Sequence, residues 1–350
     1  MNTIERVLVV GYGYAGRRFT AALDHLRKVG LPVEIAGFCD LDASRVPADG
    51  VLYTDIRAAL AELSPTVVCV TVNEAAHAAV FAELRSYRRA LVLAEKPLAA
   101  DVGEAERAAD SLRHHAFSMN LVERFSPIVR ECAEWLRDAG PFDVVRVESF
   151  WGKHRISDPR PTIGVLSELI HPLDLMRHLF GPGEIEVVAS AGVRSDFSVA
   201  AGERLEAVDV LAMQNGRTPF IVHSSFAWPA RMRRVTAVVR SAAAGLFCLE
   251  LTFDTPHWDC DRLVVSSVSE TGWLSEVHTK SVDRADLPAD IRGVGKVSAF
   301  IEASLRAWWA QEPGHDLADL DSSLNLQRIL GQIELATTTS PASVGYRGSP

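Results

Sequence analysis

Residues 94–101 read AEKPLAAD, and the pair Glu95–Lys96 stands between the apolar run Ala90–Leu93 and Pro97. A lysine delivered at the end of a buried strand can hydrogen-bond a reacting oxygen and share its proton. Lysine is scarce in this chain. Of 36 Lys plus Arg, only Lys28, Lys96, Lys153, Lys280 and Lys296 are lysine, so each is a pointed choice. A second cluster lies in GVLSELIHPLDLMRHLFG (164–181). There Ser167, His171, Asp174 and His178 recur at helical spacing, beside an apolar face of Leu166, Leu169, Ile170, Leu173 and Met176. His171 has the residue type for proton exchange near neutral pH, and Asp174 is placed to orient its ring. Glu168 lies beside this stripe, and Pro172 is expected to break or kink the helix, or to start a new one. A third cluster is Gly11-Tyr12-Gly13-Tyr14-Ala15-Gly16, whose glycines suit a tight turn, a close phosphate approach and helix–strand packing.

These clusters need elements to position them. The first 120 residues alternate short, mostly apolar runs (Ile4–Val10, Val33–Phe38, Val51–Tyr53, Thr66–Val72, Ala90–Ala94, Ala116–Met119) with helical patterns (Ala15–Val29, Ile56–Glu62, Ala75–Tyr87, Val102–His114). Apolar strands separated by helices predict a parallel sheet covered on both faces. The glycines then sit between the first strand and the first helix, where backbone N–H groups meet a pyrophosphate. Asp40, after the second strand, is placed to bind an adenosine ribose diol and to repel a 2′-phosphate. NAD is therefore favoured and NADP remains possible, with Asp42 a second ribose candidate and Arg45 a candidate for a 2′-phosphate. Tyr14, Ala15, Thr71, Asn73, Glu95 and Lys96 complete the expected cofactor contacts. His77 joins them as a helix N-terminal residue that bonds the neighbouring loop.

The pattern changes after residue 122. Helical segments are expected at Pro127–Ala139, 164–180, 296–312 and 319–338. Seven or eight strands, from Val144–Phe150 to Trp273–Thr279, should form a broad antiparallel sheet. The expected fold class is α/β: a doubly wound parallel sheet of Rossmann type at the N-terminus, plus a C-terminal α+β domain with a large, mostly antiparallel sheet. The expected domains are 1–121 for the dinucleotide and 122–338 for substrate and oligomer contacts, with a loose tail at 339–350. A bare sheet face predicts a homo-oligomer, dimer or tetramer. A net charge of −9 argues against a nucleic-acid surface. No apolar run reaches the roughly 20 residues of a membrane span, and the opening MNTIERVLVV lacks a signal-peptide pattern, so a cytoplasmic protein is expected. The five cysteines form no metal or disulfide pattern, and no metal site is expected.

With GYGYAG, TVNEAAH, EKPLA, MNLVERFSP and the 164–181 segment in view, the chain resembles the family of glucose–fructose oxidoreductase, inositol dehydrogenase and rhizopine catabolism proteins (Gfo/Idh/MocA) over nearly its whole length. The resemblance implies hydride transfer between nicotinamide and a carbon bearing oxygen or nitrogen in a small-molecule substrate, such as a sugar, cyclitol or nucleotide-sugar. It implies that Lys96 contacts substrate and nicotinamide and that His171 is the acid/base. One position departs from the family pattern. Ser167 stands where the family usually has Asp, so either Glu168 takes over or Lys96 and His171 act alone. The stretch SFWGKHRISDPRP offers Trp151, Lys153, His154, Arg155 and Arg160 as a wall for an anionic substrate. Trp228, His257 and Trp258 are further candidates for the same wall, with a structural reading favoured for them. Imine reduction, redox-neutral NAD-dependent glycoside cleavage and non-catalytic NAD sensing stay open as alternatives.

Overall fold

The computed structural model describes residues 4–48, 50–156, 158, 160, 162–195 and 204–339. The chain folds as two compact units. One holds the residues up to Phe125 together with Leu287–Arg328; the other holds Ser126–Asp286 and the chain from Ile329.

In the first unit β1 (Glu5–Val10), α1 (Tyr14–Lys28), β2 (Val33–Cys39), β3 (Leu52–Tyr53), α2 (Ile56–Leu63), β4 (Val67–Val70), α3 (Glu74–Leu84), β5 (Leu91–Ala94), α4 (Val102–Leu112) and β6 (Ala116–Met119) follow in turn. The strands form one parallel sheet in the order β3-β2-β1-β4-β5-β6. β4 and β5 are buried along their whole length, which is why they carry no alternation. Asp55, Asn73 and Asp101 start α2, α3 and α4 by accepting the N–H of Arg57, Ala75 and Glu104. The order reverses between β1 and β4, so a crevice opens beyond their carboxyl ends.

The helix Gly295–Ala310 belongs to this unit, although the sequence reading grouped it with the second domain. Its Phe300 is fully buried, with its ring centroid 6.2 Å from Phe19 of α1 and 5.5 Å from Phe125. Long-range packing of one apolar face decided this, and no local signal in the sequence reports it.

The second unit holds α5 (Pro127–Asp138), β7 (Phe142–His154), α6 (Leu166–Phe180), β8 (Ile185–Arg194), β9 (Leu205–Gln214), β10 (Thr218–Ser225), β11 (Ala227–Ser241), β12 (Gly245–Thr252), β13 (Asp261–Val268), β14 (Leu274–Val282) and β15 (Thr337–Thr339). These nine strands form one sheet, β14-β13-β12-β11-β7-β10-β9-β8-β15. It is antiparallel except at β7–β10 and at β8–β15. β15 replaces the helix end expected near 338; its three threonines show no alternation, and pairing with β8 defines it. The remaining tail, 340–350, lies outside the described residues. α6 packs on β7 and β10. It runs unbroken through Pro172, contrary to the expected break. The lost backbone bond and ring clash are outweighed by burial of Leu169, Ile170, Leu173 and Met176 on all sides. No helix among the described residues is long and apolar enough to cross a membrane.

The Phe300 contact gives an expected magnitude. Phe300→Ala should destabilise the first unit by about 3–5 kcal/mol, read as a lower urea midpoint with an unchanged m-value.

Candidate active site

The glycine loop is shaped by contacts that exclude side chains at two of its three positions. Gly11 ends β1 with φ +89°, and a Cβ there would stand 2.7 Å from the Val72 backbone N. At Gly16 a Cβ would stand 2.1 Å from the carbonyl oxygen of Gly11. Thr71, at the end of β4, donates its hydroxyl to that same oxygen at 2.6 Å. Gly13 differs: a Cβ there would meet nothing within 4 Å. No packing demand accounts for Gly13, so the bare backbone faces open space. α1 begins immediately afterwards with no side-chain cap, leaving its first N–H groups for a ligand. This cradle fits a dinucleotide pyrophosphate. Ala15 and Gly16 form its first turn, and Tyr14 stands half exposed beside it.

Asp40, buried at the end of β2, accepts the Tyr12 N–H at 2.6 Å and the Asp42 N–H at 2.9 Å. Its carboxylate is thereby tied to the glycine loop. Asp42 faces elsewhere. It accepts the backbone N–H and the hydroxyl of Ser44 and pairs with Arg45 at 3.0 Å. The Ser44 hydrogen bonds, and then Arg45, hold its carboxyl below the usual range. Arg45 is thus engaged by an acidic neighbour. Cys39 beside them is inert, since burial and then Asp55 and Asp40 push its thiol up to about 11.

The ends of β4, β5 and β6 lie side by side. Asn73 caps α3. His77 is fully buried, with Nδ1 2.9 Å from the Pro97 carbonyl and Nε2 3.2 Å from the Val72 carbonyl. It therefore ties the loop after β4 to the one after β5. Burial pushes its pKa below the ordinary 6.5, outweighing Glu74 and the two carbonyls. Lys96, half buried, stands at the end of β5 next to Pro97, whose preceding bond is cis. Glu95 accepts the side-chain N–H of Asn120 at 2.7 Å. Asn120 was not singled out from sequence; the only signal was its place just past β6.

In the second unit, α6 presents its polar residues to β7 and β11. Trp151 is fully buried and stacks on His171, with centroids 5.6 Å apart and planes at 20°. Glu168 has both oxygens committed: Oε1 to Lys153 Nζ at 2.9 Å and Oε2 to Arg233 Nη2 at 3.2 Å. Arg233, also buried, pairs with Asp254 at 2.7 Å and lies over the Trp151 ring at 5.1 Å. Sequence reading passed over Arg233. Its signal was phase, because Arg233, Val235, Ala237 and Val239 all point inward along β11, and an inward arginine requires buried carboxylates. Ser167 donates its hydroxyl to the Gly164 carbonyl at 2.9 Å. Asp174 is buried one turn beyond His171. Arg155 is used within its own loop, pairing with Asp158 at 2.9 Å and covering Phe226 at 4.7 Å. Trp228 packs edge-on against Phe150, and Trp258 lies under Arg231.

Residues 5–119 match the family model described as oxidoreductase family, NAD-binding Rossmann fold, GFO_IDH_MocA. The match is confined to the first unit, and it identifies the parallel sheet as an NAD-binding Rossmann fold similar to that of the Gfo/Idh/MocA oxidoreductases. No curated protein matches it by sequence. Solved structures match its fold throughout. UDP-N-acetylglucosamine 3-dehydrogenase GnnA from Acidithiobacillus ferrooxidans is 20% identical at a TM-score of 0.71, covering 96% of this chain and 98% of that one. An oxidoreductase domain protein from Kribbella flavida is 17% identical at 0.76, covering 96% and 97%. KijD10, a 3-ketoreductase from Actinomadura kijaniata in complex with NADP and TDP-benzene, is 18% identical at 0.70, covering 97% and 99%.

The open space at Gly13 makes a sharp expectation. Gly13→Ala should keep the wild-type melting temperature within about 1 °C while weakening NAD binding at least about tenfold, by calorimetric titration. Gly16→Ala should lose both. A second expectation concerns pH. His77 and His115 are both held below 6.5 by burial. The unfolded chain then takes up protons that the folded chain refuses, so stability is complete above pH 6.5 and is lost as pH falls below it. Melting temperature should drop between pH 7 and pH 5, and His77→Asn should flatten that drop.

Proposed function

We propose that this chain is an NAD-dependent dehydrogenase or ketoreductase for a sugar or nucleotide-sugar. It would interconvert a ring alcohol and its ketone. The observation that carries the reading is Lys96 at the end of β5, in the same parallel sheet whose β1 end carries bare Gly13 and whose β2 end carries Asp40. A dinucleotide laid across the carboxyl ends of such a sheet has its adenosine half over β1–β3 and its nicotinamide half over β4–β6. Two of the similar folds bear the names 3-dehydrogenase and 3-ketoreductase, one for a UDP-sugar and one solved with a TDP compound, which supports the substrate class.

When bound, the dinucleotide supplies the hydride acceptor or donor. Lys96 holds the substrate oxygen by a charge-assisted hydrogen bond. The family resemblance gives His171 the acid/base role, taking the substrate's proton in oxidation and returning it in reduction. Glu168, clasped by Lys153 and Arg233, positions α6 and leaves the proton to His171. Ser167 closes the first turn of the same helix. Asp40 supports NAD over NADP, because a 2′-phosphate beside that carboxylate would be repelled and Arg45 is already paired with Asp42.

The test is turnover of UDP- and TDP-sugars and their 3-keto forms, followed by NADH absorbance. Wild type should turn over with kcat/KM for NAD at least about tenfold above NADP. Lys96→Ala and His171→Ala should each lower kcat at least about a hundredfold, with His171→Ala leaving NAD affinity within twofold. Undiminished turnover in either variant would falsify the assigned roles.

A further inference from the structure

We propose that Asn120 is a positioning residue for the nicotinamide half of the cofactor, acting through Glu95; this rests on the dinucleotide reading above. Asn120 is nearly fully buried just past β6. Its backbone N–H donates to the Ala94 carbonyl at 2.8 Å, and the N–H of Glu95 donates to the Val70 carbonyl at 2.9 Å. These bonds stitch the ends of β4, β5 and β6 together one residue past the regular ladder. The Asn120 side chain then donates to Glu95 Oε1 at 2.7 Å. Its own oxygen, Oδ1, is buried with no hydrogen-bond partner among the described residues.

That last observation separates function from packing. A buried carbonyl oxygen without a donor destabilises the fold, and leucine has nearly the same shape without that cost. Asparagine is suited to this place by one thing, the N–H directed at Glu95. The bond pins one oxygen of a half-buried carboxylate and fixes its rotamer. The other oxygen, Oε2, accepts no hydrogen bond among the described residues and is left to the hydroxyl and amide donors of the nicotinamide half. Because Glu95 adjoins Lys96, the same bond also settles the strand end that carries the lysine. The adenosine half lies across the sheet, over β1–β3, and is untouched by this contact.

The experiment is calorimetric titration of NAD and of ADP-ribose, which lacks nicotinamide, into wild type, Asn120→Leu, Glu95→Gln and the double variant. Asn120→Leu should melt at or above the wild-type temperature. It should weaken NAD at least about fivefold, the factor of one hydrogen bond, and leave ADP-ribose within twofold. The double variant should be no weaker toward NAD than Glu95→Gln alone. Equal losses for both ligands, or additive losses in the double variant, overturn the proposal and leave Asn120 a structural residue. If Asn120→Leu fails to fold, Asn120→Asp is read instead. Its second carboxylate facing Glu95 should weaken NAD selectively and recover as pH falls and the pair shares a proton, and a pH-independent loss overturns the proposal. A wild-type protein that binds neither ligand overturns the dinucleotide reading itself.

Discussion

The first unit depends on a contact with no room for a side chain: the carbonyl oxygen of Gly11 lies where the Cβ of residue 16 would be, and the Thr71 hydroxyl closes on the same oxygen. Much of the candidate cofactor site is located from this point. The Tyr12 N–H, one residue on, holds Asp40. Val72 packs on Gly11, its carbonyl meets His77, and the opposite ring nitrogen of His77 meets Pro97. Lys96 is therefore placed relative to the glycine loop by two short contacts rather than by its own side-chain preferences. Positioning of this kind is what makes a proton-sharing group useful, because misplacement by an ångström is costly in rate.

The second unit is organised by the opposite device, a buried chain of charges. Lys153, Glu168, Arg233 and Asp254 follow one another in contact. Asp254 accepts the N–H of Asp259, and its own N–H is held by Asp261, which accepts the Ser126 hydroxyl. Desolvating such a chain is expensive, and its net contribution to stability is small. Its geometric effect is large. The observed register of α6 on the sheet gives both cations their carboxylate and stacks His171 on Trp151.

Legibility differed by residue in a way that follows the physics. The glycines, Asp40 and the Glu-Lys-Pro stretch were readable because each stands at a strand end, and the strands announce themselves by short runs that are apolar toward that end. Ser167 and Glu168 were readable as an anomaly but not as an outcome; the two cations that clasp Glu168 come from β7 and β11, 15 and 65 residues away. Asn120 and Arg233 carry ordinary residue types in ordinary local patterns. Only their burial, and the partners that burial forces on them, marks them out.

By itself, the sequence determined the element order, the parallel and mostly antiparallel character of the two sheets, and the residues at the carboxyl ends of the first. These follow from hydrophobic period and from the backbone freedom of glycine, both local properties. Tertiary structure alone decided that Gly295–Ala310 completes the first unit, that α6 continues through Pro172, that Thr337–Thr339 becomes a strand, and that Glu168 is a clasped anion. Each of those outcomes depends on burial against residues far along the chain, and no stretch of sequence contains the surface against which it will be buried.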